Sequence, residues 1–174
     1  MPRVYGPAPA PKRSGSARLR LDNTVPLTLR PYRPDDRAAC LTIFDSNTPR
    51  FFDPSERADF AEFLETGPED YFVAIDGSET VGCGGVFVRD DADGPCQGGL
   101  CWGMVARARH RTGVGSFLLC QRLACLAETY SRLDAVLLDT SQHSSGFFAR
   151  FGFETVKVTP DAYAPGLDRY DIPL

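Results

Sequence analysis

Only two histidines, His110 and His143, occur among the 174 residues of this chain, and that scarcity removes most metal chemistry at the outset. Zinc sites draw on cysteine and histidine at short, fixed spacings, and the four residues between Cys96 and Cys101 match no common ligand pair. No metal is expected. No apolar run is long enough to span a bilayer, and no signal peptide precedes the cysteines at 40, 83, 96, 101, 120 and 125. Several of these fall inside apolar runs, so buried thiols in a reducing, cytoplasmic setting are the simpler reading than disulfides. Internal repeats are also missing. Strong positive charge is missing too: the net charge is −4 with 24% charged residues, which argues against a protein that coats nucleic acid.

What is present is a full core. Apolar and aromatic residues make up 43% of the chain, enough for one domain over residues 25–174. Residues 1–24 are different: Pro2, Pro7, Pro9 and Pro11, five basic residues before the first acid at Asp22 and few large apolar side chains read as a disordered tail.

From Leu27 onward the periodicity predicts a strand at 27–32, a helix at 35–45 and a second helix opened by Asp53, Pro54 and a capping-box Glu56. Strands follow at 71–75 and 81–88, joined by a turn at Asp76, Gly77 and Ser78, and a further strand at 100–105. A helix at 114–127, a buried strand at 135–139, a short helix at 144–151 and strands at 153–158 and 169–172 complete the order. The class is mixed α/β. It lacks the uninterrupted βα alternation of a doubly wound nucleotide fold.

The most telling stretch runs from Val105 to Leu119, where a strand passes through a basic, glycine-containing loop into a helix. Arg107, Arg109, His110 and Arg111 concentrate positive charge in an acidic protein, and Gly113 and Gly115 let backbone amides approach a ligand. The first turn of the helix aims unpaired N–H groups at the same place, so an anion is expected there. It is not an NTPase phosphate loop, since Ser116 and Phe117 stand where a lysine is needed, and Leu118 spoils a dinucleotide fingerprint.

In this order of elements, the run His110, Arg111, Thr112, Gly113, Val114, Gly115 resembles the pyrophosphate motif of the GNAT acetyltransferase superfamily, and Gly146 to Glu154 resembles its late helix-to-Gly-Phe signature. The resemblance covers 27–172. It implies a GNAT-like fold whose central, mostly antiparallel sheet of about six or seven strands splays between the fourth and fifth and is flanked by about four helices. It also implies an acyltransferase with acetyl-coenzyme A as donor and an amine as acceptor. The pyrophosphate is then expected on Arg111, Thr112, Gly113, Val114, Gly115 and Ser116, with His110 beside them, and the pantetheine arm along Met104 and Val105 as a pseudo-strand near Phe148. The implied partners are acetyl-coenzyme A and the acceptor, with neither nucleic acid nor membrane, and the chain is expected as a monomer or homodimer.

Two residues depart from the family pattern. His110 stands at a position usually held by arginine or glutamine, leaving Arg109 or Arg111 to compensate. Phe148 stands where many members carry a tyrosine that protonates the departing thiolate, and phenylalanine has no proton to give. Ser144, Ser145 or a held water could serve instead. For the general base, the strand at 100–105 offers no carboxylate, so Asp139 and His143 are the nearest candidates. These departures keep open a second reading, a regulatory module that binds acetyl-coenzyme A with little turnover.

On the acceptor side, seven acids lie between Asp53 and Asp70 against Arg57 alone, which favours a cationic amine or a solubilising helix face. Asn47, Phe51, Phe52 and Tyr71 are expected to contact the acceptor.

Overall fold

The computed structural model describes residues 27–90, 95–130 and 132–174; the proposed tail at 1–24 lies outside them. Strand β1 (Thr28–Pro31) leads into α1 (Arg37–Asn47) and α2 (Glu56–Glu65), then β2 (Tyr71–Asp76), β3 (Glu79–Asp90) and β4 (Cys96–Val105). After the basic loop come α3 (Val114–Thr129), β5 (Ala135–Leu137), β6 (Asp139–Ser141), α4 (Ser145–Ala149), β7 (Lys157–Ala164) and β8 (Leu167–Asp171).

The strands form a five-stranded sheet in the order β1-β2-β3-β4-β5 and a three-stranded sheet in the order β6-β8-β7. The single strand expected at 135–139 is therefore divided at Leu138. The division is slight, because the C-terminal residues continue the ladder: Ile172 N–H donates to the Leu138 carbonyl at 2.9 Å, and Val136 and Leu174 exchange both bonds at 2.8 and 2.9 Å. One extended run from Ala135 to Ser141 thus links the two sheets. Strand β7 begins at Lys157 rather than 153, since residues 154 and 156 reach the opposite chain only through single bonds to Pro173 and Asp171.

Helix α2 shows why its start is shifted. The Asp53 carboxylate takes the Ser55 N–H at 2.9 Å while Glu56 takes the Asp53 N–H at 2.8 Å, so the reciprocal cap forms. Its first backbone bonds close three residues back, from Glu56 to Asp53 and from Arg57 to Pro54. Regular helix begins only at Glu56.

Packing fixes the two faces of the sheet. On one face Phe44, Phe60 and Tyr71 are fully buried; Phe60 stacks on Phe44 at 5.6 Å between centroids and packs against Trp102 at 5.0 Å. This clamps α1 and α2 to β4. On the other face Leu118, Arg122 and Leu126, each about one turn apart on α3, lie over Gly82, Gly84 and Gly103, and Gly98 respectively. Glycines on the strands let the helix sit close.

Candidate active site

Strand β4 pairs in parallel with β5 only through Gln97, Gly98 and Gly99. Beyond them the strands part, and the resulting cleft of about 1350 Å³ is lined from β4, the basic loop, α3, α4, the segment after α1 and β7. A bulge marks its centre: Trp102 and Gly103 together oppose Gly84, between the pairs Cys83 with Met104 and Gly85 with Cys101. Trp102 takes φ 43°, a strained value for a bulky side chain. The Tyr71 hydroxyl steadies the bulge by donating to the Trp102 carbonyl at 3.0 Å. Tyr71 itself is fully buried, so this aromatic, expected at the acceptor, supports the strand from behind.

At one end of the cleft, Gly113 turns the chain with φ 92° and opens α3, and Arg111 precedes it with φ 63°. No side chain caps this helix. Its first amides are therefore left without a side-chain acceptor, the arrangement that suits an anion. Arg111, Gly113, Gly115 and Ser116 line the cleft. Thr112 and Val114 sit within the loop but turn elsewhere: Thr112 donates to the Arg109 carbonyl at 2.7 Å, and Val114 is buried against Val81 and Ala74.

The loop's cations are not equivalent. Arg109 is spent on Asp76, with Glu79 at 3.8 Å, and the Arg107 guanidinium lies over the Phe51 ring at 5.1 Å from its centroid. Arg107 and Arg111 have no acidic partner among the described residues and both line the cleft, so these two cations of the loop are left to meet a ligand, Arg111 without a ring stacked beneath it. His110 points inward. Its Nε2 lies 3.0 Å from the Val105 carbonyl oxygen, which only accepts, so that nitrogen carries the proton. Burial lowers its pKa, the Val105 bond opposes this, and Arg107 and Arg111 add to the lowering. The imidazole is neutral near pH 7 and braces the turn. The Val105 carbonyl also accepts from Asn47 Nδ2 at 2.8 Å, so both its lone pairs are taken within the protein. Asn47 is correspondingly buried at 3% exposure.

Phe51, Phe52, Glu56, Asp139, His143 and Tyr163 line the same cleft, Phe51 reaching the basic loop through Arg107 and His110. The Tyr163 hydroxyl donates to Asp139 at 2.6 Å, and Arg169 stands 3.9 Å from that carboxylate. Glu56 is half-buried, and burial raises its pKa; the Asp53 N–H lowers it in part, and the charges of Asp53, Asp59 and Asp139 raise it again. Burial likewise pushes the Tyr163 phenol up, with the Asp139 bond adding to it. His143 is exposed, with its ring edge-on to Phe51 at 6.0 Å. Ser144 precedes α4 without a side-chain cap bond, and Ser145 donates to Gln142 at 3.4 Å. Phe148 lines the cleft while packing edge-on against Phe147 and Phe153.

Most of the sequence candidates line one cleft; Glu56, read from the sequence only as one of seven acids near the acceptor, and Arg122, not singled out at all, line it too. For Glu56 the signal was present in its capping-box position, which ties the side chain to the chain entering α2. No cluster of His, Cys, Asp and Glu able to hold a metal occurs among the described residues.

Residues 67–155, from just before β2 through the Gly-Phe signature, match the acetyltransferase (GNAT) domain model. A strand bulged at the splay, a basic loop opening α3 and a match across half the chain define its class: the chain belongs to the GNAT acetyltransferase family and is an acyltransferase. No curated protein matches it significantly. Among solved structures, Ard1 from Thermoplasma volcanium is similar at 20% identity and TM-score 0.66, covering 86% of this chain and 97% of its own. Naa50 of Arabidopsis thaliana, in complex with the bisubstrate analogue CoA-Ac-MVNAL, is similar at 16% identity and TM-score 0.65, with coverage of 86% and 99%. The ribosomal-protein-alanine N-acetyltransferase from Brucella melitensis matches at 17% identity and TM-score 0.65, with coverage of 84% and 98%. At such identities the likeness establishes the fold.

Proposed function

We propose that this protein is an N-acetyltransferase that moves the acetyl group of acetyl-coenzyme A to a cationic amine by direct attack. The observation that carries the reading is that one cleft gathers Arg111 and the uncapped start of α3 together with the acids Glu56 and Asp139 and with Tyr163. The residues fit the donor. The α3 amides with Arg111 would hold the pyrophosphate, and the β4 edge along the splay offers backbone groups to the pantetheine arm, Met104 being better placed than the already saturated Val105 carbonyl. Neighbours of the same fold solved with coenzyme A or a coenzyme A bisubstrate analogue support coenzyme A as the carrier of the acetyl group.

The acceptor approaches past Phe51, Phe52 and Tyr163, and the acids attract its ammonium form. Glu56 takes the proton that must leave before the nitrogen can attack, a role suited to a carboxylate whose pKa burial has raised. Asp139, fixed by Tyr163, holds the cation in place. Residues 25–174 form the transferase domain in this reading. No helix among the described residues is long and apolar enough to cross a membrane.

Phe148, which cannot donate a proton, favours a second reading as a module that binds acetyl-coenzyme A without turnover. Calorimetric titration with acetyl-coenzyme A, followed by a thiol-release assay across primary amines, diamines and peptide N-termini, separates the two. Binding with release is expected. Binding without release for any amine favours the module, and no binding overturns both.

A further inference from the structure

Arg122 is the most unusual side chain outside the cofactor loop and the acceptor acids. It is 4% exposed on the face of α3 that packs against the sheet, between Leu118 and Leu126. Among the described residues it has no carboxylate partner. Its Nε has no hydrogen-bond partner, and its one bond, to the Gly85 carbonyl, is long at 3.5 Å. Burial works against its charge, and the groups that favour it, Cys101, Tyr71 and Cys83, are thiols and a phenol rather than carboxylates, with burial raising both Cys101 and Tyr71. A buried cation without an anion is costly, and an apolar side chain would serve the packing better.

Its surroundings point to what completes it. A Cβ at Gly103 would lie 2.7 Å from Nη1 and 2.8 Å from Nη2, and one at Gly84 2.8 Å from Nη1, so these two glycines clear the space the guanidinium fills. Gly103 belongs to the β4 bulge and Gly84 of β3 stands opposite it, and Gly103 is exposed and lines the cleft. The charge therefore sits directly behind the strand at the centre of the cleft, which Arg122 itself lines, and Phe148 lines the same cleft without a proton. Resting on the acetyl-transfer reading above, we infer that Arg122 stabilises the negative charge that leaves on the coenzyme A sulfur, in place of a proton donor.

The step balances without further reagents. Glu56 takes the first proton from the ammonium and releases it to solvent; the neutral amine nitrogen then bonds to the thioester carbonyl carbon, the nitrogen's second proton passes to the regenerated Glu56 carboxylate, and the carbon–sulfur bond breaks with its electron pair going to sulfur. The sulfur departs as a thiolate beside Arg122 and takes a proton later from solvent. A fixed positive charge in a water-poor site acts strongly on charge that develops only during reaction.

The test uses the whole protein, free coenzyme A and the variants Arg122→Met and Arg122→Lys. The bound thiol is titrated by ultraviolet thiolate absorbance. In the wild type it is expected at least about one unit below the free value, which is near 8.5 for an ordinary thiol. In Arg122→Met it returns to the free value while coenzyme A still binds, and kcat falls about 10²- to 10³-fold; Arg122→Lys keeps part of both effects. Because the methionine removes an unpaired buried charge, its Tm is expected to rise. A bound thiol that titrates identically in wild type and Arg122→Met overturns the inference, as does an Arg122→Met protein that fails to fold, which would make the arginine structural. A wild type that does not bind coenzyme A overturns the acetyl-coenzyme A reading and this inference with it.

Discussion

Replacing Glu56 with glutamine isolates its charge from its structural bond. The carboxylate accepts the Asp53 N–H at 2.8 Å, and an amide oxygen can accept the same bond, so Glu56→Gln leaves the entrance to α2 intact. Glu56→Ala loses it, at about 1 kcal/mol of stability. If Glu56 takes the amine proton, Glu56→Gln should lower kcat/KM by about 10²- to 10⁴-fold, equivalent to about 3 to 5.5 kcal/mol of barrier. The pH dependence follows from the raised pKa. The base works only when ionised, so wild-type kcat/KM falls on the acid side with a midpoint above the ordinary carboxylate range, and that limb vanishes in the glutamine variant. Stability has the opposite sign. A carboxyl whose folded pKa is raised contributes stability below its unfolded pKa and loses it as pH rises through the folded value. Glu56→Gln should therefore match or exceed the wild-type Tm at neutral pH while being far slower. Thiol-release kinetics between pH 5 and 9, with thermal melts of the same samples, decide it. A glutamine variant with wild-type kcat/KM and an unchanged acid limb would refute the assignment of the base.

Three further outcomes are expected. Gly113 needs φ 92° with open space around its missing Cβ, so Gly113→Ala brings strain alone, about 1 to 2 kcal/mol, read as a lower Tm or weaker acetyl-coenzyme A binding by calorimetry. Phe148→Tyr should change wild-type kcat by less than about threefold but raise it clearly in an Arg122→Met background, because a restored acid matters only when the cation is gone. Phe60→Ala removes the ring shared by Phe44 and Trp102 and should cost about 3 to 5 kcal/mol in chemical denaturation.

Local chemistry was legible in the sequence because it is written at short range. Gly113, the helix start at Val114, the Asp53 cap and the turn at Gly77 all depend on neighbours within a few residues, and each stands within about two residues of its predicted place. What depends on distant partners was not legible. Nothing near His110 announces that the Val105 carbonyl will hold its ring, and nothing near Arg109 announces Asp76. Tyr71 read as a wall of the acceptor site because an aromatic beside acids resembles one, whereas the packing of α2 on β2 buries it completely. Arg122 is the extreme case. On α3 it looks like one solvated arginine among many, and only glycines on two separate strands reveal that it faces inward.

The brief pairing of β4 with β5 also bears on how the protein behaves when no ligand is present. From Leu100 onward one side of β4 has no strand beside it among the described residues, yet this is the middle of the chain and cannot be trimmed or given a charged edge as outer strands are. An opening shaped to accept an extended pantetheine arm is equally suited to an extended peptide from a neighbouring molecule. On the proposed function, the protein purified without acetyl-coenzyme A should associate through this gap more readily as its concentration rises, and added acetyl-coenzyme A should suppress that association.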